Sequence, residues 1–375
     1  MLNSIHQALW FVAIIVVSGF LFCFLPSKQN IKNNRINNVD GLRYVLASIV
    51  SVSHFIYTYN YIKTSDWSEG EYYMLGRIGA IAVSVFFLLS GYLFASKISS
   101  EDERWYPFYF KRIFRIVPMT YVSSIICVIF AYHYASDLKS IDFRLVLYWF
   151  DGGFFNERPQ LFGGPTKVFN ADVTWTLVYE WALYAALPLV WIINKSTGMK
   201  ATRAIPIMVL FISFYGVSAW SYRLGVYISF FAVGAIIKDI ASLNLIRKGA
   251  FLDVASLVFF VFSFVSAYYS DPLAYQCLVF YSLFFFTIIS GSTWFGLLTT
   301  KGFVLLGNAS YSMYLLHNFF WFIAIKLFGR YDLKIGYVFY SLTFVLICAV
   351  SVMTYKFIET PMNKFAERFS NKYLN

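Results

Sequence analysis

His54 stands inside an apolar run, eleven residues after Arg43, in the stretch that opens Asp40-Gly41-Leu42-Arg43. An ionisable side chain within a membrane span costs about 2.5–3.5 kcal/mol at the bilayer centre on insertion scales, so it marks a functional candidate. Eleven helical steps of about 100° end within about 20° of three full turns. Arg43 and His54 therefore share one helix face, roughly 16 Å apart along the axis. The imidazole lies where a reaction is shielded from water and suits general-base work. The guanidinium lies at the span's end, where it can meet charged groups.

A second ionisable residue, Glu180, follows in the run Val173-Thr174-Trp175-Thr176-Leu177-Val178-Tyr179-Glu180. If that span runs from outside inward and the His54 span from inside outward, both side chains lie roughly 6–9 Å below the outer boundary. Equal depth predicts a carboxylate–imidazole pair, with Glu180 fixing the tautomer of His54 and stabilising its imidazolium. Tyr184 follows Glu180 at i+4 and shares its face. The competing reading is a set of polar contacts that only hold helices together. His317 lies mid-membrane or slightly outward on another span, and either joins this site or hydrogen-bonds across helices. His6 and His133 fall near span ends.

Lys111-Arg112-Ile113-Phe114-Arg115 begins a further span. Arg112 and Arg115, at i and i+3, point the same way. Two guanidiniums on one face suit a phosphate, which accepts forked hydrogen bonds. The plain alternative is a basic anchor on the cytoplasmic side.

The elements that carry these residues follow from composition. Of 375 residues, 59% are hydrophobic, 22% aromatic and 13% charged, against about 25% charged in soluble domains. An all-α, polytopic transmembrane bundle is expected, with about eleven spans of the length a bilayer requires. They fall near 9–25, 41–60, 77–96, 113–132, 176–193, 204–221, 224–238, 249–269, 272–290, 305–326 and 336–357. The first is not a signal peptide, since nothing basic precedes it and no A-x-A pattern follows. Most of the thirty Lys and Arg fall on loops assigned to the cytoplasm, which sets the N-terminus outside and the C-terminus inside. The net charge of +11 is then a rim facing anionic lipid, not a nucleic-acid signal. Cys23, Cys127, Cys277 and Cys348 lie in apolar runs without metal or disulfide spacing, and no metal is expected. The outer loop, about 133–174, is either a packed connector or a cover over the site. Three regions are expected: an N-terminal helix with a basic link, 1–36; the main membrane domain, 37–362; and a cytoplasmic tail, 363–375.

In order along the chain, these segments resemble the acyltransferase-3 family of integral-membrane acyltransferases. Arg43 with His54 is similar to its Arg-x10-His signature. Ser84-Val85-Phe86-Phe87-Leu88-Leu89-Ser90-Gly91-Tyr92-Leu93 resembles its FFxLSGxL segment, and Arg112-x-x-Arg115 before Pro118 its RxxR motif. Trp175-Thr176-Leu177 with Glu180 and Tyr184 resembles WSLxxExxxY. Leu306 to His317 and Ile358-Glu359-Thr360-Pro361 also fit. Thr176 stands where Ser is usual, and Tyr44 where Gly is common. The span at 9–25 is additional to the family's usual ten, and a stand-alone member without an SGNH-type esterase domain is expected.

The resemblance implies transfer of an acyl group, most often acetyl from cytoplasmic acetyl-CoA, to a hydroxyl of an extracytoplasmic or lipid-linked sugar such as O-antigen, capsule or exopolysaccharide. It implies a multi-pass protein of the bacterial inner membrane with acyl-CoA as donor substrate and no bound cofactor. His54 and Glu180, with Arg43, would be catalytic. Arg112, Arg115 and Arg43 would bind the donor, and Tyr184, Thr176, Trp175, His317 and Ser90 would support the site. The competing class is a glycolipid flippase or a glycan polymerase. A transporter would more readily show broken helices in paired halves, which the sequence does not display.

Overall fold

The computed structural model describes residues 2–25, 37–98, 103–135, 142–155, 158–196, 221–243, 248–329 and 333–373, with a few isolated positions between them. Those residues are helical, without strands. The helices are α1 (Leu2–Leu21), α2 (Asn37–Thr64), α3 (Tyr73–Ile98), α4 (Trp105–His133), α5 (Phe143–Leu147), α6 (Thr166–Phe169), α7 (Trp175–Ser196), α8 (Tyr222–Ser242), α9 (Ala250–Tyr269), α10 (Tyr275–Ile289), α11 (Lys301–Asn308), α12 (Ser310–Phe328), α13 (Leu333–Thr354) and α14 (Thr360–Tyr373). A π turn, Tyr355–Glu359, joins the last two.

Eight helices among the described residues are long and apolar enough to cross a bilayer, and the chain is a multi-pass membrane protein. The expected span at 272–290 is the shorter apolar helix α10. The one at 305–326 is broken at Ala309 into α11 and α12. The one at 204–221 lies outside the described residues. The expected tail at 363–375 is largely helix α14, which packs Phe365 on Phe114 at 5.2 Å and Phe369 on Phe110 at 4.9 Å. Its charged residues Lys364, Glu367, Arg368 and Lys372 stay exposed, as an amphipathic period requires.

At the centre, α2 and α12 run in the same direction. Ser48 meets Met313, His54 meets His317 and Thr58 meets Asn318, in step along both helices. Both are buried along most of their length. Helices surrounded by protein can carry hydroxyl, amide and imidazole groups that lipid would not tolerate. We call the end at which α2 and α12 begin basal and the other apical.

Small residues bring the neighbouring helices close. A Cβ on Gly91 of α3 would lie 2.0 Å from the Phe231 carbonyl of α8, and one on Gly234 would lie 2.0 Å from the Leu88 carbonyl. The two helices thus cross with main chain against main chain, a form of membrane packing that only small residues allow.

Helix α4 starts at Trp105, two turns before the expected boundary at 113. Pro107 fits a first turn, where no N–H is needed. Trp105 and Phe108 pack on Trp191 and Tyr184 of α7. Pro188 within α7 has no N–H for the Tyr184 carbonyl one turn earlier. Tyr109 of α4 donates to that carbonyl at 2.8 Å instead, so α4 and α7 are tied where the proline breaks the ladder.

Candidate active site

His54 Nδ1 and His317 Nε2 are 2.9 Å apart, and the rings are within 5° of parallel with centroids 5.1 Å apart. A 5.1 Å separation is what two imidazoles reach when such a bond joins them edge to edge. The pair is therefore hydrogen-bonded in a common plane and not stacked face to face. His317 is fully buried, and its Nδ1 lies 3.0 Å from the Met313 carbonyl. His54 is partly exposed, although residues on both sides of it along α2 are buried.

Next to this pair the loop between α4 and α7 descends into the bundle. Asn318 Nδ2 donates to the Val168 carbonyl at 2.7 Å, and the Asn318 carbonyl oxygen accepts the Thr58 hydroxyl at 2.8 Å. One turn lower on α12, the Tyr314 hydroxyl donates to the Val173 carbonyl at 2.9 Å and lies 3.0 Å from the Thr176 hydroxyl. Non-helical backbone at this depth is tolerated only with its polar groups paired inside the protein, and Asn318 and Tyr314 supply that pairing. Of the two readings open for 133–174, the segment 166–174 is packed against the site helices. Burial there raises the Asp172 carboxyl above the usual carboxylate range, against the opposing pull of Lys167 and Arg158.

This descent displaces Glu180 from its expected depth. Helix α7 begins level with Tyr314, below His317, and Glu180 is another turn basal. By helical rise it sits roughly 10 Å from the level of the imidazoles. The expected contact between Glu180 and His54 is not made. Glu180 instead accepts the Tyr184 hydroxyl, and His54 pairs with His317 from a helix 263 residues away. Glu180 and His54 would share a depth only if α7 began at the bilayer surface.

Basal to the imidazoles lies a partly open cleft, about 920 Å³ when the solvent space at its mouth is counted. Arg43, Arg112 and Arg115 line it together with Glu180, and Thr176 and Tyr314 line it as well. Ser90 is on its α3 wall. Neither His54 nor His317 lines the cleft; the Tyr314 ring on its wall lies 6.5 Å from the His317 ring. Arg112 and Arg115 share the cleft face, as their spacing requires, but they lie two to three turns inside α4 and not at its mouth. The Arg112 guanidinium is boxed by Phe94, Phe108 and Tyr184 at 4.7, 5.4 and 5.6 Å, a cation–π arrangement that holds the group flat. Its buried Nε has no hydrogen-bond partner among the described residues. Arg43 lies 3.6 Å from Asp40. Among the described residues no carboxylate comes within ion-pair distance of Arg112 or Arg115.

Trp175 does not line the cleft; its ring packs on Phe87, Tyr179 and Tyr227. Thr58 and Asn318 are site residues that the sequence reading does not single out. Their signal was position alone, with Thr58 one turn beyond His54 and Asn318 beside His317.

A family model described as an acyltransferase domain matches residues 36–356. Neither a curated protein nor a solved structure matches the chain.

Proposed function

Because the chain belongs to the acyltransferase-3 family, we propose that it carries an acyl group, acetyl in the simplest case, from acyl-CoA to a hydroxyl of an extracytoplasmic or lipid-linked sugar. The observation that carries this reading is the cleft itself. Three arginines line it, and Tyr314 on its wall is one turn from His317 along α12. Phosphates are the anions such a set binds best, and CoA joins phosphates to a thioester by a long flexible arm.

In this reading the basal end is cytoplasmic. Arg112, Arg115 and Arg43 hold the donor phosphates, and the arm lies along Phe86, Phe87 and Ser90 toward Thr176 and Tyr314. The acceptor arrives from the apical side. His54 takes the hydroxyl proton as the oxygen attacks the thioester carbonyl. The C–S bond then breaks, and the leaving thiolate recovers the proton from His54. Glu180 works through Tyr184, whose ring forms one wall of the Arg112 box, and so steadies the donor site and not the base. The protein would reside in the cytoplasmic membrane of a bacterium, and O-antigen, capsule and exopolysaccharide are the acceptor classes to test.

The test is acceptor-dependent release of CoA thiol by the purified protein in nanodiscs, paired with NMR of surface-glycan acetylation in a deletion strain and its parent. Thiol release with one glycan, and loss of an acetyl signal on deletion, are expected. Folded protein that releases no thiol across the panel, with unchanged glycans in the deletion strain, would overturn the proposal.

A further inference from the structure

We propose that His317 is a positioning residue that fixes the tautomer of His54, so that the bare, reactive nitrogen of His54 is Nε2. The Met313 carbonyl can only accept a hydrogen bond. His317 Nδ1, 3.0 Å away, must therefore carry the hydrogen of that bond. A neutral imidazole has one N–H, which leaves His317 Nε2 as an acceptor. His54 Nδ1, 2.9 Å from it, must then donate. By the same count His54 Nε2 carries a lone pair and no hydrogen. No other group among the described residues hydrogen-bonds His54, and its Nε2 is absent from the buried atoms that lack partners. Partial exposure of His54 beside a fully buried His317 agrees with an Nε2 that faces open space.

The chain of donors also gives the proton somewhere to go. When His54 Nε2 takes a proton, the Nδ1 hydrogen can move toward His317 Nε2, and His317 becomes the cation while Met313 still accepts from its Nδ1. Charge is conserved at each step, and reversal returns the proton to His54 Nε2. Unlike a carboxylate, His317 starts neutral, so the resting pair carries no charge among apolar helices. The role in catalysis rests on the transfer reaction proposed above, whereas the tautomer does not.

The experiment uses full-length protein with ¹⁵N-labelled histidine in nanodiscs. The chain has four histidines, so His6→Gln and His133→Gln in one background leave two to assign. In that background His54 is expected to show a protonated Nδ1 and a bare Nε2. His317→Gln keeps an acceptor oxygen near the former Nε2 and should preserve the tautomer and keep more turnover than a variant without an acceptor, although the amide cannot take the proton. His317→Leu keeps the bulk without the acceptor. It should shift His54 toward the Nε2–H form and lower kcat roughly 10- to 100-fold, by analogy with hydrogen bonds that orient metal-bound imidazoles, with KM for acetyl-CoA unchanged. An Nε2–H form of His54 in the parent background, or Gln and Leu variants alike in tautomer and kcat, would overturn the inference. Absence of any transfer by the wild type sinks the acyltransferase reading instead, while the NMR tautomer stays readable.

Discussion

Glu359 caps the helix that carries His317 by binding Ser312. Its carboxylate accepts the Ser312 backbone N–H at 3.2 Å and also the Ser312 hydroxyl. Ser312 is in the first turn of α12, where backbone N–H groups have no helical partner and negative charge is favoured. Ala309 at the helix start provides no side-chain cap. Glu359 reaches there from a π turn, a local widening that recurs at functional sites.

Glu359→Ala should therefore loosen the start of α12. Unpaired donors at a buried position cost about 1–3 kcal/mol. The variant should melt at lower temperature than the wild type in detergent, and Glu359→Gln, which keeps an acceptor, should recover much of the loss. Identical melting of Ala variant and wild type would mean that α12 is secured elsewhere.

His54→Ala should lower acyl transfer by on the order of 10²- to 10⁴-fold, the usual contribution of a positioned base. Acetyl-CoA binding should stay near wild type, because the side chain lies apical to the arginines, while the melting temperature should fall modestly as the buried His317 Nε2 loses its donor. Near-normal turnover would make His54 structural.

Arg112→Ala and Arg115→Ala should each weaken acetyl-CoA binding by the worth of a charge-assisted hydrogen bond, about 1.5–3 kcal/mol. A donor without the nucleotide phosphates, such as an acetyl-pantetheine analogue, should be affected far less. Arg112→Lys should rescue poorly, since an ammonium neither lies flat between Phe94, Phe108 and Tyr184 nor offers forked hydrogen bonds. Unchanged donor affinity in both Ala variants would make the pair a topological anchor only.

Asp172→Asn tests the descending loop through pH. Burial raises the Asp172 carboxyl in the folded protein, so the fold binds its proton more tightly than the unfolded chain does. The stability this contributes is complete below the unfolded carboxylate range, near about 4, and is lost as pH rises through the folded value. Asn tolerates the positive φ of 51° at this position. The Asn variant should gain melting temperature relative to wild type as pH rises toward neutral, with the difference vanishing in acid. A constant difference across pH would show that the carboxyl is not perturbed in solution.

Helix periodicity and charge made much of this arrangement readable beforehand. The i, i+3 spacing of Arg112 and Arg115 and the i, i+4 spacing of Glu180 and Tyr184 translate directly into shared faces, because a helix fixes side-chain direction locally. Depth was harder to read. It required knowing where α7 begins, and that is set by Asn318 and Tyr314, which draw the 166–174 segment below the level of His317. The partner of His54 was also hidden, because a contact across 263 residues leaves no mark in local spacing. The two turns added to the start of α4 come from ring packing against Trp191 and Tyr184, not from hydropathy.

The Gly91–Gly234 crossing has a consequence for chain-length selectivity. Where main chain already rests on main chain, there is nothing to trim, so under the proposed function α3 cannot retreat to admit a bulkier acyl group. The opposite wall is different: α7 is backed by comparatively little protein among the described residues, whereas α14 covers the α4 turns that carry Arg112 and Arg115. The cleft thus has one wall fixed by main chain against main chain and, on the α7 side, a wall with less protein behind it among the described residues. Attempts to widen it should target the α7 side.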